Sequence, residues 1–122
     1  MRGKNSTLKQ KLESTATKDI AVCSIVKAEL FYGAMRSNNT TRTLALQEAF
    51  LNNFVSLPFD DAAATIYGRI RAELAASGTP IGPYDLQIAA IAMANNLILV
   101  THNTREFGRV NGLQIEDWEE EG

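Results

Sequence analysis

The hydrophobic and polar positions of the chain follow two periods. Apolar residues recur every three or four positions in five segments, which is the spacing of one helix face. These segments predict helices at residues 6–16, 25–36, 43–54, 61–77 and 84–95. Short apolar runs between them predict strands at residues 19–23, 55–59, 97–101 and 113–115, and the 97–101 strand is expected to be buried.

Proline and glycine mark the boundaries of these elements. Pro58 interrupts the second strand, which is therefore expected to be an edge strand or a linker. The segment Gly78–Pro83 predicts an ordered loop, with Pro83 at the start of the next helix. Strands that alternate with helices are typical of an α/β sandwich with a short parallel sheet, built as one domain over residues 1–122. Three or four strands are few for such a sheet, so an element is expected to be missing.

The amino-acid composition indicates which class of protein the chain belongs to. Hydrophobic residues make up 45% and charged residues 21% of the 122 positions, as in soluble globular proteins. The apolar runs are too short to span a bilayer, which predicts a cytoplasmic protein without a membrane segment. The single cysteine, Cys23, is expected in the core. The net charge is −2, and the tail Glu116–Gly122 holds five acids, so the rest of the chain carries a formal +3. Such a tail is usually a solvated end.

Three polar residues are candidates for chemistry. Ligands of open parallel sheets bind at the carboxyl ends of the strands, and Glu29, Asp85 and Asn103 are predicted near such ends. Glu29 lies among apolar residues, where a lone carboxylate is unfavourable if it is buried. Each also has a plainer explanation: Glu29 can face solvent, Asp85 can interact with a helix N-terminus, and Asn103 can be a turn residue.

Five segments in order resemble the PIN-domain ribonuclease toxins of the VapC type. The stretch Ser24–Gly33 is similar to the S-x-x-x-x-E-L-x-x-G pattern of that family, and Gly82–Ala90 is similar to its D-x-x-I-A-A helix start. The other three segments are Leu57–Asp61, Tyr67–Arg71 and Leu99–Leu113. The resemblance implies a PIN-like three-layer α/β/α sandwich.

The resemblance also implies an activity, which is metal-dependent hydrolysis of RNA by the toxin of a toxin–antitoxin pair. Glu29, Asp85 and Asn103 would be the catalytic residues, with Glu29 and Asp85 as ligands of Mg²⁺ or Mn²⁺, because hard cations prefer oxygen donors. Thr101 and His102 are neighbours that could hydrogen-bond to this network, although His102 is expected to be a turn or surface residue. The implied partners are RNA, an antitoxin protein and a second copy of the chain.

The chain departs from the family pattern at its N-terminus. Family members open with a strand that ends in a metal-binding Asp, and here no Asp precedes Asp19. The sequence leaves open three explanations for this missing strand. The start codon was placed too late, the gene has decayed, or a short form persists whose gap a partner chain or a second copy covers. The resulting alternative function is an impaired PIN-like module that binds an antitoxin-type partner or self-associates. An unrelated phospho-acceptor domain is set aside, because no lysine follows Val100.

Overall fold

The computed structural model describes residues 10–119, and their contacts divide them into two compact units. One unit is formed by residues 15–58, and the other by residues 10–14 together with residues 59–119. Each unit contains its own pair of parallel strands. Among the described residues, no helix combines the length and apolarity needed to cross a bilayer.

The unit of residues 15–58 is a parallel strand pair with two helices. Its elements are a 3₁₀ turn at Thr17–Asp19, β1 at Ala21–Cys23, α1 at Ser24–Met35, α2 at Thr40–Leu51 and β2 at Val55–Leu57. Strand β1 pairs with β2 in parallel, with Ala21 opposite Val55 and Cys23 opposite Leu57. Pro58 directly follows β2, so this strand ends before the proline and is shorter than the predicted 55–59. Both strands of a two-stranded sheet lie at an edge, so the choice between an edge strand and a linker stays a prediction. Cys23 is buried, as predicted.

Two element boundaries in this unit differ from their predictions, and local hydrogen bonds explain the differences. Asp19 belongs to the 3₁₀ turn, so the first strand is shorter than predicted. Helix α2 begins at Thr40 rather than Thr43, because the side chain of Asn39 accepts a hydrogen bond from the amide of Arg42 at 3.1 Å. A capping asparagine satisfies an amide that has no partner within the helix, and this fixes the first turn.

The second unit is built around two packed helices. Its elements are a helical segment at residues 10–14, α3 at Asp61–Ala76, α4 at Pro83–Ala94, β3 at Leu99–Val100, α5 at Thr104–Phe107 and β4 at Ile115–Glu116. The predicted first helix is confirmed over residues 10–14 but ends there and not at Ala16, and its residues 6–9 lie outside the described part of the chain. Helices α3 and α4 pack on each other and bury Ile70 and Ile91 almost completely.

The ends of α3 and α4 follow the sequence signals closely. Asp60 caps α3 by accepting a hydrogen bond from the amide of Ala63 at 3.0 Å. Gly78, with φ +71°, follows the last turn in the left-handed conformation that favours glycine. Pro83 is the first residue of α4, as predicted, because its fixed φ suits that position and its missing N–H would have no helical partner there.

Strand β3 differs from the strand predicted at residues 97–101. It spans only Leu99–Val100 and pairs in parallel with β4. Its neighbours Leu97 and Ile98 are exposed, and so is Val100. The prediction of a buried strand over residues 97–101 is therefore wrong for this chain. The reason is that a strand is buried by what covers its two faces and its second edge, which an apolar run does not specify.

Candidate functional site

Asp85 is placed by the loop and proline that precede it. Gly82 lies at the N-cap of α4 and Pro83 at its first position, so Asp85 is the third helical residue and projects from the first turn. Its side chain is partly buried. Burial raises the pKa of Asp85, and the negative charge and hydrogen bond of Glu106 raise it further. A carboxyl group with this environment holds its proton more tightly than a solvated one.

Glu106 is the partner of Asp85 and was missed in the sequence analysis. It lies in α5, where its Oε1 accepts a hydrogen bond from the backbone amide of Gly82 at 3.2 Å. Its Oε2 accepts one from Nδ2 of Asn103 at 3.1 Å. The bond from Asn103 is the main cause that lowers the pKa of Glu106, and the bond from Gly82 is the next. The site therefore holds two carboxyl groups with pKa values shifted in opposite directions.

Asn103 joins the site through its side chain. It occupies the N-cap position of α5, yet its side chain makes no capping bond and donates to Glu106 instead. Its backbone amide donates to Oγ1 of Thr101 at 3.0 Å, so the predicted hydrogen bond of Thr101 is made to the backbone of Asn103 and supports the turn. The structure thus brings together two of the three predicted residues, Asp85 and Asn103, and adds Glu106.

Glu29 belongs to the unit of residues 15–58 and is described there by itself. It lies in α1 and is exposed, as are Ala28 and Leu30 beside it. The argument that a carboxylate at this position is buried at a high energetic cost is therefore wrong. The plainer reading, in which Glu29 faces solvent, describes its surroundings in the structure. Its role as a metal ligand stays a prediction from the resemblance.

A signal for Glu106 was present in the sequence. Glu106 follows Asn103 by three positions, the spacing that places two side chains on the same side of a helical turn. Glu106 lies within the segment Leu99–Leu113 that resembles the family, but only Glu29 and Asp85 were predicted as acids of the site. The approach of Glu106 to Gly82, 24 positions away, depends on the path of the chain and not on a local pattern.

The donor set at this site suits a hard divalent cation. Asp85 and Glu106 offer carboxylate oxygens, and Asn103 carries an amide oxygen, which are the ligand types that Mg²⁺ and Mn²⁺ prefer. Among residues 10–119 no group of three His, Cys, Asp or Glu side chains is arranged to hold a metal ion. Two carboxylates match the number that magnesium usually takes from a protein, because water and phosphate complete its shell.

Three further side chains lie near this site in the sequence, and His102 is the one predicted to be a turn or surface residue. His102 is exposed, and its Nδ1 lies 3.0 Å from Oδ2 of Asp117, so it is a surface residue held by a carboxylate. Arg105 is exposed in α5. Arg109, one turn further along, donates from Nη1 to the carbonyl of Pro80 at 3.3 Å, and its charge contributes to the lowered pKa of Glu106.

Comparison with known proteins identifies the family. The PIN domain model matches residues 2–113. The chain is 50% identical over 99 residues to the tRNA(fMet)-specific endonuclease VapC of Shigella flexneri, covering 81% of this chain and 75% of that protein. The crystal structure of DNA-bound VapBC from Salmonella typhimurium superposes with a TM-score of 0.85 at 42% identity, covering 92% of this chain and 84% of that one.

A more distant structure gives the same fold. VapBC-5 from Mycobacterium tuberculosis, a member of the VapBC family of toxin–antitoxin systems, has a TM-score of 0.66 at 31% identity, with 80% of this chain and 79% of that one covered. The predicted PIN-like α/β fold and the predicted VapC-type relationship are both confirmed. The chain belongs to the PIN-domain family, among the VapC-type ribonucleases of toxin–antitoxin systems, whose nucleases depend on a divalent metal.

Proposed function

We propose that this chain is an endoribonuclease that cleaves RNA phosphodiesters with Mg²⁺ or Mn²⁺, and that it is the toxin of a cytoplasmic toxin–antitoxin pair. The observation that carries the proposal is the contact of Asp85 with Glu106, supported by Asn103 and the amide of Gly82. A divalent ion held there would polarise the scissile phosphate and lower the pKa of an attacking water.

The residues of the chain contribute orientation and charge. Asn103 and Gly82 hold the two oxygens of Glu106 in place, so its carboxylate is oriented before a ligand arrives. Asp85 must lose its proton to act as an anionic ligand, and its raised pKa means that a cation would compete with this proton. Glu29 is proposed as a further ligand, on the resemblance of its segment to the family pattern.

The proposed substrate is a structured RNA of the tRNA class. The support is the relative from Shigella flexneri, whose name states specificity for tRNA(fMet) and which is half identical to this chain. Partners are proposed from the solved neighbours, which are VapBC proteins. An antitoxin would cover apolar side chains of α1 and α2 that are more than half exposed, namely Tyr32, Met35, Leu46 and Phe50. A second copy of the chain is proposed as a further partner.

The test is cleavage of initiator tRNA by the purified chain with Mn²⁺ or Mg²⁺. We expect Asp85→Asn and Glu106→Gln to lower the rate by about 100-fold or more, since a bound metal contributes several kcal/mol and each 1.4 kcal/mol is a factor of ten. EDTA should abolish cleavage. Glu73→Gln, an exposed acid of α3 in the same unit, is the matched control and should cleave normally.

Two outcomes would contradict the proposal. Cleavage that persists in EDTA or in Asp85→Asn would place the chemistry elsewhere. A folded chain that cleaves no RNA but binds an antitoxin would favour the alternative, an impaired PIN-like module that acts by binding.

A further inference from the structure

The segment after β4 is attached to the turn after β3. The backbone amide of Thr101 donates to the carbonyl of Glu116 at 2.9 Å, which continues the strand pairing by one residue. At the next position along each segment, Nδ1 of His102 lies 3.0 Å from Oδ2 of Asp117. The His102 side chain is 46% exposed and the Asp117 side chain 11%, so the carboxylate is the more enclosed half of the pair.

Asp117 is held in place by its own segment. Its Oδ1 accepts a hydrogen bond from the backbone amide of Glu119 at 2.9 Å, while Oδ2 faces His102. Both carboxylate oxygens are thus engaged, in different directions. A carboxylate fixed in this way can determine the orientation of an imidazole ring, as carboxylates do for histidines in many sites.

His102 is the central residue of the turn that presents Asn103. The amide of Asn103 bonds to Oγ1 of Thr101 across His102, at 3.0 Å. Asn103 has φ −86° and ψ 62°, outside the helical region, although α5 begins at the next residue. From that backbone position its Nδ2 reaches Oε2 of Glu106. Asp117 is therefore linked to the carboxylate of Glu106 by its contact with His102, by the peptide bond from His102 to Asn103 and by the hydrogen bond from Asn103 to Glu106.

We propose that Asp117 is a positioning residue, which fixes the turn at residues 101–103 through His102 and so holds Asn103 against Glu106. The orientation of the Glu106 carboxylate then depends on the segment after β4, which itself contributes no ligand. The consequence for metal binding rests on the function proposed above, whereas the positioning itself is a property of the metal-free chain.

The experiment compares the full chain with Asp117→Ala, His102→Ala and the double variant. The first measurement is the NMR signal of the Asn103 side-chain amide in the metal-free protein, which reports its bond to Glu106. The second is the affinity for Mn²⁺, measured by electron paramagnetic resonance. Asp60→Ala is the matched control, because it removes another acid of the same unit, at the cap of α3, and so controls for a general loss of stability.

We expect both single variants to shift the Asn103 amide signals and to weaken Mn²⁺ binding by roughly tenfold, the lower end of the effect of groups that orient metal ligands. The double variant should be no worse than either single one, because the pair acts as a unit. Asp117→Asn should stay closer to the unmodified chain than Asp117→Ala, since its amide oxygen can still accept a hydrogen bond from His102. Asp60→Ala should leave both readouts unchanged.

Three results would overturn the proposal. These are unchanged Asn103 signals in both alanine variants, effects that add in the double variant, and an Asp60→Ala variant that loses Mn²⁺ affinity to the same degree. If the unmodified chain binds no Mn²⁺, the proposed function fails instead, and the Asn103 signals in the metal-free protein still decide whether Asp117 acts as described.

Discussion

At the scale of single residues, the site consists of two carboxyl groups in unequal surroundings. Asp85 is partly buried and close to a like charge, which raises its pKa, whereas Glu106 receives hydrogen bonds from Asn103 and Gly82, which lower its own. Two carboxyl groups in contact do not ionise independently, and of this pair Asp85 holds its proton to the higher pH. A cation bound between the two carboxyl groups would offset the repulsion between their charges.

The pKa of Asp85 gives a prediction for stability. A folded-state pKa above the unfolded value means that the folded chain binds the proton more tightly, so stability falls as pH rises from the unfolded to the folded pKa. Asp85→Asn lacks this ionisation. We therefore expect the metal-free variant to gain stability over the unmodified chain as pH increases through that window, and the difference to level off above it.

The measurement is thermal unfolding in EDTA over a series of pH values. In a Glu106→Gln background, the pH range over which the two stabilities diverge should become narrower, because the charge of Glu106 no longer raises the pKa of Asp85. The range should not vanish, because burial is the larger cause of the raised pKa. A difference between Asp85→Asn and the unmodified chain that does not change with pH would refute the raised pKa.

At the scale of elements, the helix starts with strong local signals were predicted well. Helices α3 and α4 begin within a residue of their predicted starts, because Asp60 and Pro83 act on backbone groups within their own first turns. Helix α2 was predicted three residues late. Several polar residues near this start could cap the helix, namely Thr40, Thr41 and Thr43. The residue that does so is Asn39, whose side chain accepts a hydrogen bond from the amide of Arg42.

The cap of α2 is testable by substitution. Asn39→Ala should lower the free energy of unfolding by about 1 kcal/mol, the usual effect of removing a capping side chain. Asn38→Ala is the matched control, since it removes the same side chain one position before the cap, and its effect should be clearly smaller. Chemical denaturation followed by circular dichroism measures both. Equal losses in the two variants would argue that Asn39 does not act as the cap.

At the scale of the whole molecule, the acidic residues proposed for the reaction come from both units of the chain. Asp85 and Glu106 belong to the unit with α3 and α4, and Glu29 belongs to the unit of residues 15–58. The resemblance to the family pattern predicts Glu29 as a ligand, and its exposure on α1 leaves its carboxylate accessible to solvent and ions.

Substitution of Glu29 tests this prediction. Glu29→Gln should reduce metal-dependent RNA cleavage by about tenfold or more, because it removes one anionic ligand while conserving shape. Glu48→Gln, an exposed acid on α2 of the same unit, is the control and should cleave at the normal rate. The readout is the cleavage rate as a function of Mn²⁺ concentration. If the two variants behave alike, Glu29 is a surface residue and the plainer reading is correct.

The sequence by itself determined the family, the alternation of helices and strands, and the helix starts that depend on caps and prolines, because these signals act over a few residues. It also predicted Asp85 and Asn103 as site residues, because each follows a recognisable boundary between elements. The tertiary structure alone decided that Glu106 meets Asp85 and that Asp117 meets His102, since these contacts join positions 21 and 15 residues apart. It also decided that Val100 of β3 is exposed and that Glu29 faces solvent, because burial depends on what the rest of the chain places over a residue.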